Sequence, residues 1–135
     1  MDELDQAIYT RLTGGTALTA LLSGTAAVYS GLAPQGAALP YIVYNQQSGG
    51  DENLTPSRSK SYLYQIQIYS GVSQAAAWAI DAQVDALLHG YTFAVGGGWT
   101  NWWTAKDGEL PLIETKPNGD VVYSVRSLYR IKLGV

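Results

Sequence analysis

The side chains that could carry out catalysis are few and lie far apart along the chain. His89 is the single histidine among 135 residues, and no nucleophile can be named as its partner. Asp81 and Asp85 lie one helical turn apart and could share a proton or a metal ion, although two solvated acids on an exposed helix face are the plainer interpretation. The glycines at 96–98 lack the lysine and the helix of a phosphate-binding loop and indicate a hairpin turn. We therefore expect no enzyme, no catalytic residue, no metal site and no cofactor, with His89 structural at a helix end.

A cluster of tryptophans offers binding chemistry instead. Trp99, Trp102 and Trp103 lie within five residues. Adjacent residues of a strand point to opposite faces, so at least one of Trp102 and Trp103 should lie away from the core. Tryptophan is favoured at protein interfaces and can also stack on sugars, while a packed sheet surface under a loop is the structural alternative.

Charged side chains of the last strand and the long helix are the other candidates for an interface. Arg126, Arg130 and Lys132 share one face of that strand, which indicates either a solvated face or pairing with the two helix aspartates of a neighbouring subunit. Trp78 lies between those aspartates on the polar side of its helix, so we expect it to be partly exposed. The predicted interface residues are Trp78, Asp81, Asp85, Trp99, Trp102, Trp103, Arg126 and Arg130.

Three helical segments follow from apolar periodicity and capping residues. Residues 2–13 carry an apolar residue every fourth position, with acids at the start and Arg11 near the end, as the helix dipole favours. A second short helix should begin after Thr16 and end by Gly24. The third should begin at a Ser73 cap and reach His89, with its apolar face turned to the core.

Strand signals occupy most of the remaining chain. Strands are predicted at 27–30, 41–44, 62–69, 91–95, 99–105 and 112–115, with a last strand after the Asn118-Gly119 hairpin signal. Gly96–Gly98 and Asp107-Gly108 are predicted turns. The sequence thus predicts an α+β fold, with a mainly antiparallel sheet of five to six strands flanked by helices in a single domain over 1–135.

Residues 48–61 contain one large apolar side chain and are rich in serine, glycine, aspartate and asparagine. This composition predicts a mobile loop that becomes ordered on contact with a partner. The predicted contact residues are Asp51, Glu52, Leu54, Arg58 and Lys60.

Charge and composition exclude several functional classes. Eight basic and eleven acidic residues give a net charge of -3, which lacks the usual footprint of a nucleic-acid binder. Cysteine is absent, so disulfides, thiolate nucleophiles and sulfur-ligated metals are excluded. The acidic beginning MDELDQ is unlike a secretory signal, and no long uncharged apolar run predicts a membrane span.

The segment from Val28 to Val43 carries the most specific pattern in the chain. It reads V-Y-x-G-x-A-P-Q-G-A-x-x-P-Y-x-V, formed by Val28, Tyr29, Gly31, Ala33, Pro34, Gln35, Gly36, Ala37, Pro40, Tyr41 and Val43. It follows IYTRLTGGTALTALLSG and precedes the strand YQIQIYSG, the helix AAAWAIDAQVDALLHG and the closing strand YSVRSLYRIKL. In this order, over nearly the whole chain, the segments resemble the tail-completion or tail-terminator family of long-tailed bacteriophages.

The resemblance implies a structural virion protein with no catalytic residues to transfer. Such a protein would cap the tail tube and join it to the head connector, as a homo-oligomeric ring of six through which phage DNA passes without sequence-specific binding. Its partners would be the tail tube protein and the connector, at the head-tail junction of a virion assembled in the host cytoplasm. The stretch WTNWW and the 48–61 segment lie outside the pattern that carries the resemblance.

Two other functional classes remain as alternatives. The first is an aromatic-rich carbohydrate- or peptide-binding module that uses the three tryptophans of the 99–103 stretch. The second is a small hydrolase, which the absence of any nucleophile and base pair argues against.

Overall fold

The computed structural model describes residues 2–23, 27–52, 58–115, 117 and 119–134. Its helices are α1 (Asp2–Thr13), α2 (Thr16–Thr19) and α3 (Gln74–Leu88). Its strands are β1 (Val28–Ser30), β2 (Tyr41–Asp51), β3 (Ser59–Ser70), β4 (Thr100–Thr115) and β5 (Val121–Gly134). The predicted α+β class with a mainly antiparallel sheet is confirmed.

The five strands form one sheet in the order β1-β2-β3-β5-β4. β1 and β2 run parallel, and the other neighbouring pairs are antiparallel. The long strands β3 and β5 therefore lie inside the sheet, while β4 and the short β1 form its edges.

α1 and α3 begin where the local sequence favours it. The predicted start of α2 after Thr16 is wrong, because α2 begins at Thr16 itself, follows Gly15 and has no side-chain cap. α1 turns the apolar residues Leu4, Ile8 and Leu12 inward, and its first turn carries three acids that favour the positive end of the helix dipole. The Ser73 hydroxyl accepts a hydrogen bond from the Ala76 N–H at 3.1 Å and so caps α3 as predicted. Gly24, the predicted end of the second helix, lies outside the described residues.

All three helices pack on the same face of the sheet. Alternate residues of β3 and β5, from Tyr62 to Ile68 and from Val125 to Leu133, meet the apolar residues of the helices in one core. We call the opposite face, which carries Leu63, Gln65, Gln67, Arg126, Leu128 and Arg130, the open face of the sheet. On the open face, Arg126, Leu128 and Arg130 are only half-buried and so remain available for partners.

Several predicted loops and strands differ from the observed elements. β2 continues to Asp51 and β3 begins at Ser59, so the predicted loop over 48–61 is wrong at both ends. The reason is that β5 orders β3 as far as Ser59, and β3 then pairs with the end of β2. Gly49 makes this pairing feasible, because its φ is +129° and a Cβ there would collide with the carbonyl oxygen of Ser61.

The region before β5 also differs from its prediction. Residues 91–95 are not a strand; they lie along β4 with one isolated bridge between Ala94 and Thr100. The predicted turn at Asp107-Gly108 is wrong, because Asp107 is an extra residue in a β-bulge and β4 stays paired with β5 on both sides of it. The hairpin signal at Asn118 lies outside the described residues.

Candidate functional site

Asp81 lies in the middle of the buried face of α3 and not on a solvated face, so that prediction is wrong. Its carboxylate accepts hydrogen bonds from Lys106 Nζ at 2.8 Å and from Ser127 Oγ at 2.5 Å. Its side chain is 4% exposed. Both oxygens are thus occupied inside the domain, and Asp81 is unavailable to an arginine of a neighbouring subunit.

Lys106 joins this network to the edge strand. Its Nζ lies 2.8 Å from Asp81 and 2.6 Å from Glu109. Burial by itself lowers the pKa of Lys106, but the hydrogen bonds to these two acids outweigh it and raise the pKa above its ordinary value. Lys106 therefore stays charged and holds α3 against β4.

Asp85 and His89, one and two turns after Asp81, also form hydrogen bonds to the sheet. Asp85 Oδ1 accepts a hydrogen bond from the Tyr129 hydroxyl at 3.2 Å, and burial together with the charge of Asp85 raises the pKa of Tyr129. His89 Nδ1 accepts a hydrogen bond from the Lys106 backbone N–H at 3.0 Å. His89 thus has the structural role expected at a helix end, although its partner is a strand N–H.

Trp78 is partly exposed, as expected, but it also packs against the hydrophobic core. It lies on the flank of α3 beside the buried stripe that contains Ala77, Asp81 and Val84. The ring therefore contributes to the stability of the monomer, whatever else contacts its outer edge.

Trp102 and Trp103 lie on the same side of β4, contrary to the expected opposite faces. The register shifts between Asn101 and Trp103, so Trp102 is the extra residue of a β-bulge, and the two residues of a bulge share one side. The two rings are 46% and 50% exposed. The Trp102 ring lies 5.6 Å from Lys132 Nζ, and Trp103 is paired in register with that same lysine.

Asn101 holds this bulge in place, a role that the sequence did not reveal. Its Oδ1 accepts hydrogen bonds from the Phe93 N–H and the Thr104 hydroxyl, both at 3.1 Å. Its Nδ2 donates to the carbonyl oxygens of Trp103 and Lys132 at 3.1 and 3.2 Å. The sequence feature that could have indicated this role is an asparagine inside a predicted strand. Asparagine is rare in strands, and its side chain can form the hydrogen bonds that a bulge leaves unmade between strands.

Trp99 differs from its two neighbours because it is partly buried against the core. Arg58 and Lys60 lie 5.8 and 5.1 Å from the centre of its ring. These are cation–π distances, so the indole fixes the beginning of β3 beside β4. Trp99 is thus a structural residue more than an exposed anchor.

The structure places the predicted contact residues of the 48–61 segment in different elements. Asp51 ends β2 and pairs with Arg58 at 3.6 Å and with Lys60, inside β3, at 3.5 Å. Glu52 follows directly, and its backbone N–H donates to the Ser59 carbonyl oxygen at 2.8 Å. Leu54 lies outside the described residues.

The basic stripe lies on the open face, on an inner strand of the sheet. Arg130 pairs with Asp107 at 3.7 Å and Lys132 with Glu52 at 3.6 Å. Among the described residues, Arg126 has no carboxylate partner. The predicted pairing of these cations with Asp81 of another subunit is wrong, because Asp81 is buried and bound within its own domain. Pairing with Asp85, which is half-buried, stays a prediction.

The Val28–Val43 motif builds a cleft on the same open face. Residues 31–37 stand over the sheet and enclose about 420 Å³ above Tyr41, Val43, Asn45, Gln67 and Tyr69. Tyr41 and Tyr69 both line the cleft, with their ring centres 5.1 Å apart, and the Tyr29 ring lies 5.9 Å from that of Tyr41. Burial, followed by the charge of Glu114, raises the pKa of Tyr41 and Tyr69. The sequence showed the pattern but not the tyrosine contacts.

The described parts of the chain carry neither a cluster of metal ligands nor a membrane-spanning helix. No group of three histidine, aspartate or glutamate side chains is placed there to hold a metal ion. Among the helices within these ranges, none has the length and hydropathy needed to cross a bilayer.

Comparisons with known proteins agree with this architecture. The family model described as "Tail completion protein gp17" matches residues 6–123. A chain of the solved structure "Virion of native gene transfer agent (GTA) particle" superimposes with a TM-score of 0.80 over 98% of this chain and 95% of that chain, at 18% identity. No curated protein matches the sequence. At that identity the structural similarity shows a shared fold.

Proposed function

Because this chain belongs to the tail completion protein gp17 family, we propose that it caps the end of a phage tail tube and joins it to the head connector. The family match, which covers residues 6–123, is the observation that carries this proposal. Tail completion proteins are structural components of phage-like particles, so the chain acts through contacts with other proteins and not through catalysis.

The proposed assembly is a ring of six copies around the DNA channel. A ring requires contacts between two different surfaces, and the sheet offers two unlike edges, the short β1 and the long β4. A compact chain of this length has a diameter of roughly 36 Å as a sphere, so six copies would leave a hole of about 36 Å. Four copies would leave only about 15 Å, which is too narrow for duplex DNA.

The channel suits passage of DNA better than binding. Six copies with a net charge of -3 each carry 6 × -3 = -18. Such excess negative charge disfavours retention of a polyanion, so DNA would pass without sequence-specific contacts. The protein would then reside at the head-tail junction of a virion assembled in the host cytoplasm.

Contacts with the tail tube and the connector would involve the β2–β3 connection and the exposed tryptophans. Glu52 and Arg58 flank that connection, and Trp102 is 46% exposed at the far edge of the sheet. We therefore expect shortening of the 53–57 segment to impair joining while leaving the fold intact, because both flanking strands are paired with their neighbours.

The mass in solution, alone and with purified tail tubes, tests the ring. A species near six times 14.5 kDa, or one that forms only when tube ends are added, supports it. Trp102→Ala should lower assembly, and Tyr91→Ala, a second exposed aromatic, is its control. A stable two-fold dimer, which uses the same patch twice, would refute the ring.

A carbohydrate- or peptide-binding module is a second candidate, favoured by the half-exposed Trp102 and Trp103. Titration with oligosaccharides, followed by tryptophan fluorescence, separates the two candidates. A saturable shift would support the module, and no shift is expected of a tail completion protein.

A further inference from the structure

The three cations of the open face are weakly partnered within the described residues. Arg126 has no carboxylate partner among the described residues, and its Nε is buried without a hydrogen bond. Burial raises the pKa of Tyr69, and the positive charge of Arg126 opposes that rise, so the guanidinium lies near this phenol. A buried donor without a partner is rare, so Arg126 stands out among the described cations of this face as the one without an acid or a hydrogen bond of its own.

The other two cations are held only by long, exposed pairs. Arg130 lies 3.7 Å from Asp107 and 3.5 Å from Ser61 Oγ, and Lys132 lies 3.6 Å from Glu52. The two acids are 53% and 44% exposed at their side chains. Exposed pairs of this kind contribute little, so an incoming carboxylate can replace them at small cost.

These three cations lie in a row along β5 on the open face of the sheet, and we call the surface between the 31–37 loop and Trp103 the groove. Gln65 and Gln67 are 8% and 5% exposed beside them, and their amides are joined by a hydrogen bond of 3.2 Å. The 31–37 loop stands at one side, over Gln67 and Tyr69, and Trp103 stands at the other, beside Arg130 and Lys132. The groove is therefore bounded on both sides and open along β5.

We propose that this groove binds an extended, acidic segment of a partner protein that lies along β5. A strand rises about 3.3 Å per residue, so Arg126 and Arg130 are roughly 13 Å apart and Arg130 and Lys132 roughly 7 Å apart. Carboxylates at alternate positions of an extended segment repeat at about 7 Å and meet both spacings. Arginine binds carboxylates through two parallel hydrogen bonds, which adds directionality to the charge attraction.

Nucleic acid fits the groove less well than such a segment. Asp107, Glu52 and Glu114 are interspersed with the cations, and a continuous row of phosphates would be repelled by them. A polypeptide carries carboxylates only at some positions, so an acidic segment can face the cations while its uncharged residues face these acids. One monomer carries the whole groove, so this binding does not depend on the number of copies in the proposed ring.

Synthetic peptides test the proposal on the intact chain. The probe is a capped seven-residue peptide that alternates glutamate and serine, and the control has the same composition with all glutamates contiguous. Calorimetry reports the affinity, and the total tryptophan fluorescence of the chain, to which Trp103 contributes, is a second readout. We expect the alternating peptide to bind about tenfold more tightly, with an affinity that falls as salt rises.

Variants then assign the binding to the groove. Arg126→Gln and Arg130→Gln should each weaken binding about three- to tenfold, with the melting temperature as a check of folding. Arg58→Gln removes a cation outside the groove and should leave the affinity unchanged. If Arg126→Gln fails to fold, Arg130→Gln and Lys132→Gln decide the matter.

Four results would overturn the proposal. The first two are that neither peptide binds, or that the two peptides bind with equal affinity. The third is that Arg58→Gln weakens binding as much as the groove variants do. The fourth is that a single-stranded oligonucleotide binds as tightly as the alternating peptide and that the groove variants abolish this binding. Each leaves the proposed ring untouched, because the ring is tested by mass. Conversely, if the protein binds the peptide but never forms a larger assembly, the ring is refuted and the groove proposal stands.

Discussion

Replacing Asp81 with asparagine should remove the buried charge that joins α3 to the edge of the sheet. Asparagine keeps the size of the side chain, so the change isolates the charge from the packing. The carboxylate it replaces lies 2.8 Å from Lys106 Nζ and 2.5 Å from Ser127 Oγ, with a side chain that is 4% exposed. We expect a clear loss of stability, because Lys106 loses its more buried partner.

The size of the loss follows from the surroundings of Lys106. Breaking one side of a buried ion pair costs about 3–5 kcal/mol. Lys106 retains Glu109 at 2.6 Å, and its own side chain is 20% exposed, so water and the second acid offset part of the cost. We therefore expect Asp81→Asn to lower the free energy of unfolding by about 2–3 kcal/mol. For a domain of this size, that corresponds to roughly 6–12 °C in melting temperature.

Chemical and thermal unfolding at neutral pH, followed by circular dichroism, measure this loss. Lys106→Met and the double variant complete a mutant cycle, in which we expect a coupling of about 1–3 kcal/mol. Asp51→Asn is the matched control, because Asp51 also has two cationic partners, at 3.6 and 3.5 Å, but is 45% exposed. Its loss should stay below about 1 kcal/mol. Equal losses for the two asparagine variants, or no coupling with Lys106→Met, would refute the reasoning.

Three further predictions concern the core, the sheet and the response to pH. Trp78→Ala should lower the free energy of unfolding by about 2–3 kcal/mol because the ring packs on the core, while Trp102→Ala should cost less than about 1 kcal/mol; equal melting temperatures would contradict this. Asn101→Ala should cost about 2 kcal/mol or more and change the tryptophan emission, since it leaves four hydrogen bonds unmade at the bulge; unchanged emission would argue against its role there. Burial, followed by the charge of Asp5, raises the pKa of Tyr44 to about 12. The stability that this shift contributes is fully present below pH 10 and is lost as pH rises through 12. Tyr44→Phe should therefore make the melting temperature fall less steeply between pH 10 and 12. Parallel melting curves of the variant and the original protein against pH would contradict this prediction.

Local patterns in the sequence determined the helices, most strand positions and the family. The apolar stripe of α1 and the Ser73 cap of α3 depend on residues within one or two turns, so they could be found without the fold. The Val28–Val43 pattern is likewise contiguous, and the family match over residues 6–123 agrees with the resemblance that this pattern indicated. Pairing at the ends of β2 and β3 was missed because β5, far along the chain, orders those ends.

Only the tertiary structure decided where the candidate side chains lie. Periodicity placed Asp81 on a polar face, but its partners Lys106 and Ser127 are 25 and 46 residues away, and together they allow a carboxylate to be buried at the centre of α3. Trp102 and Trp103 share one side because Asn101 stabilises a bulge through backbone atoms of other segments. Burial of a charge and the register of a strand both depend on groups that meet only after folding, so neither can be read from spacing along the chain.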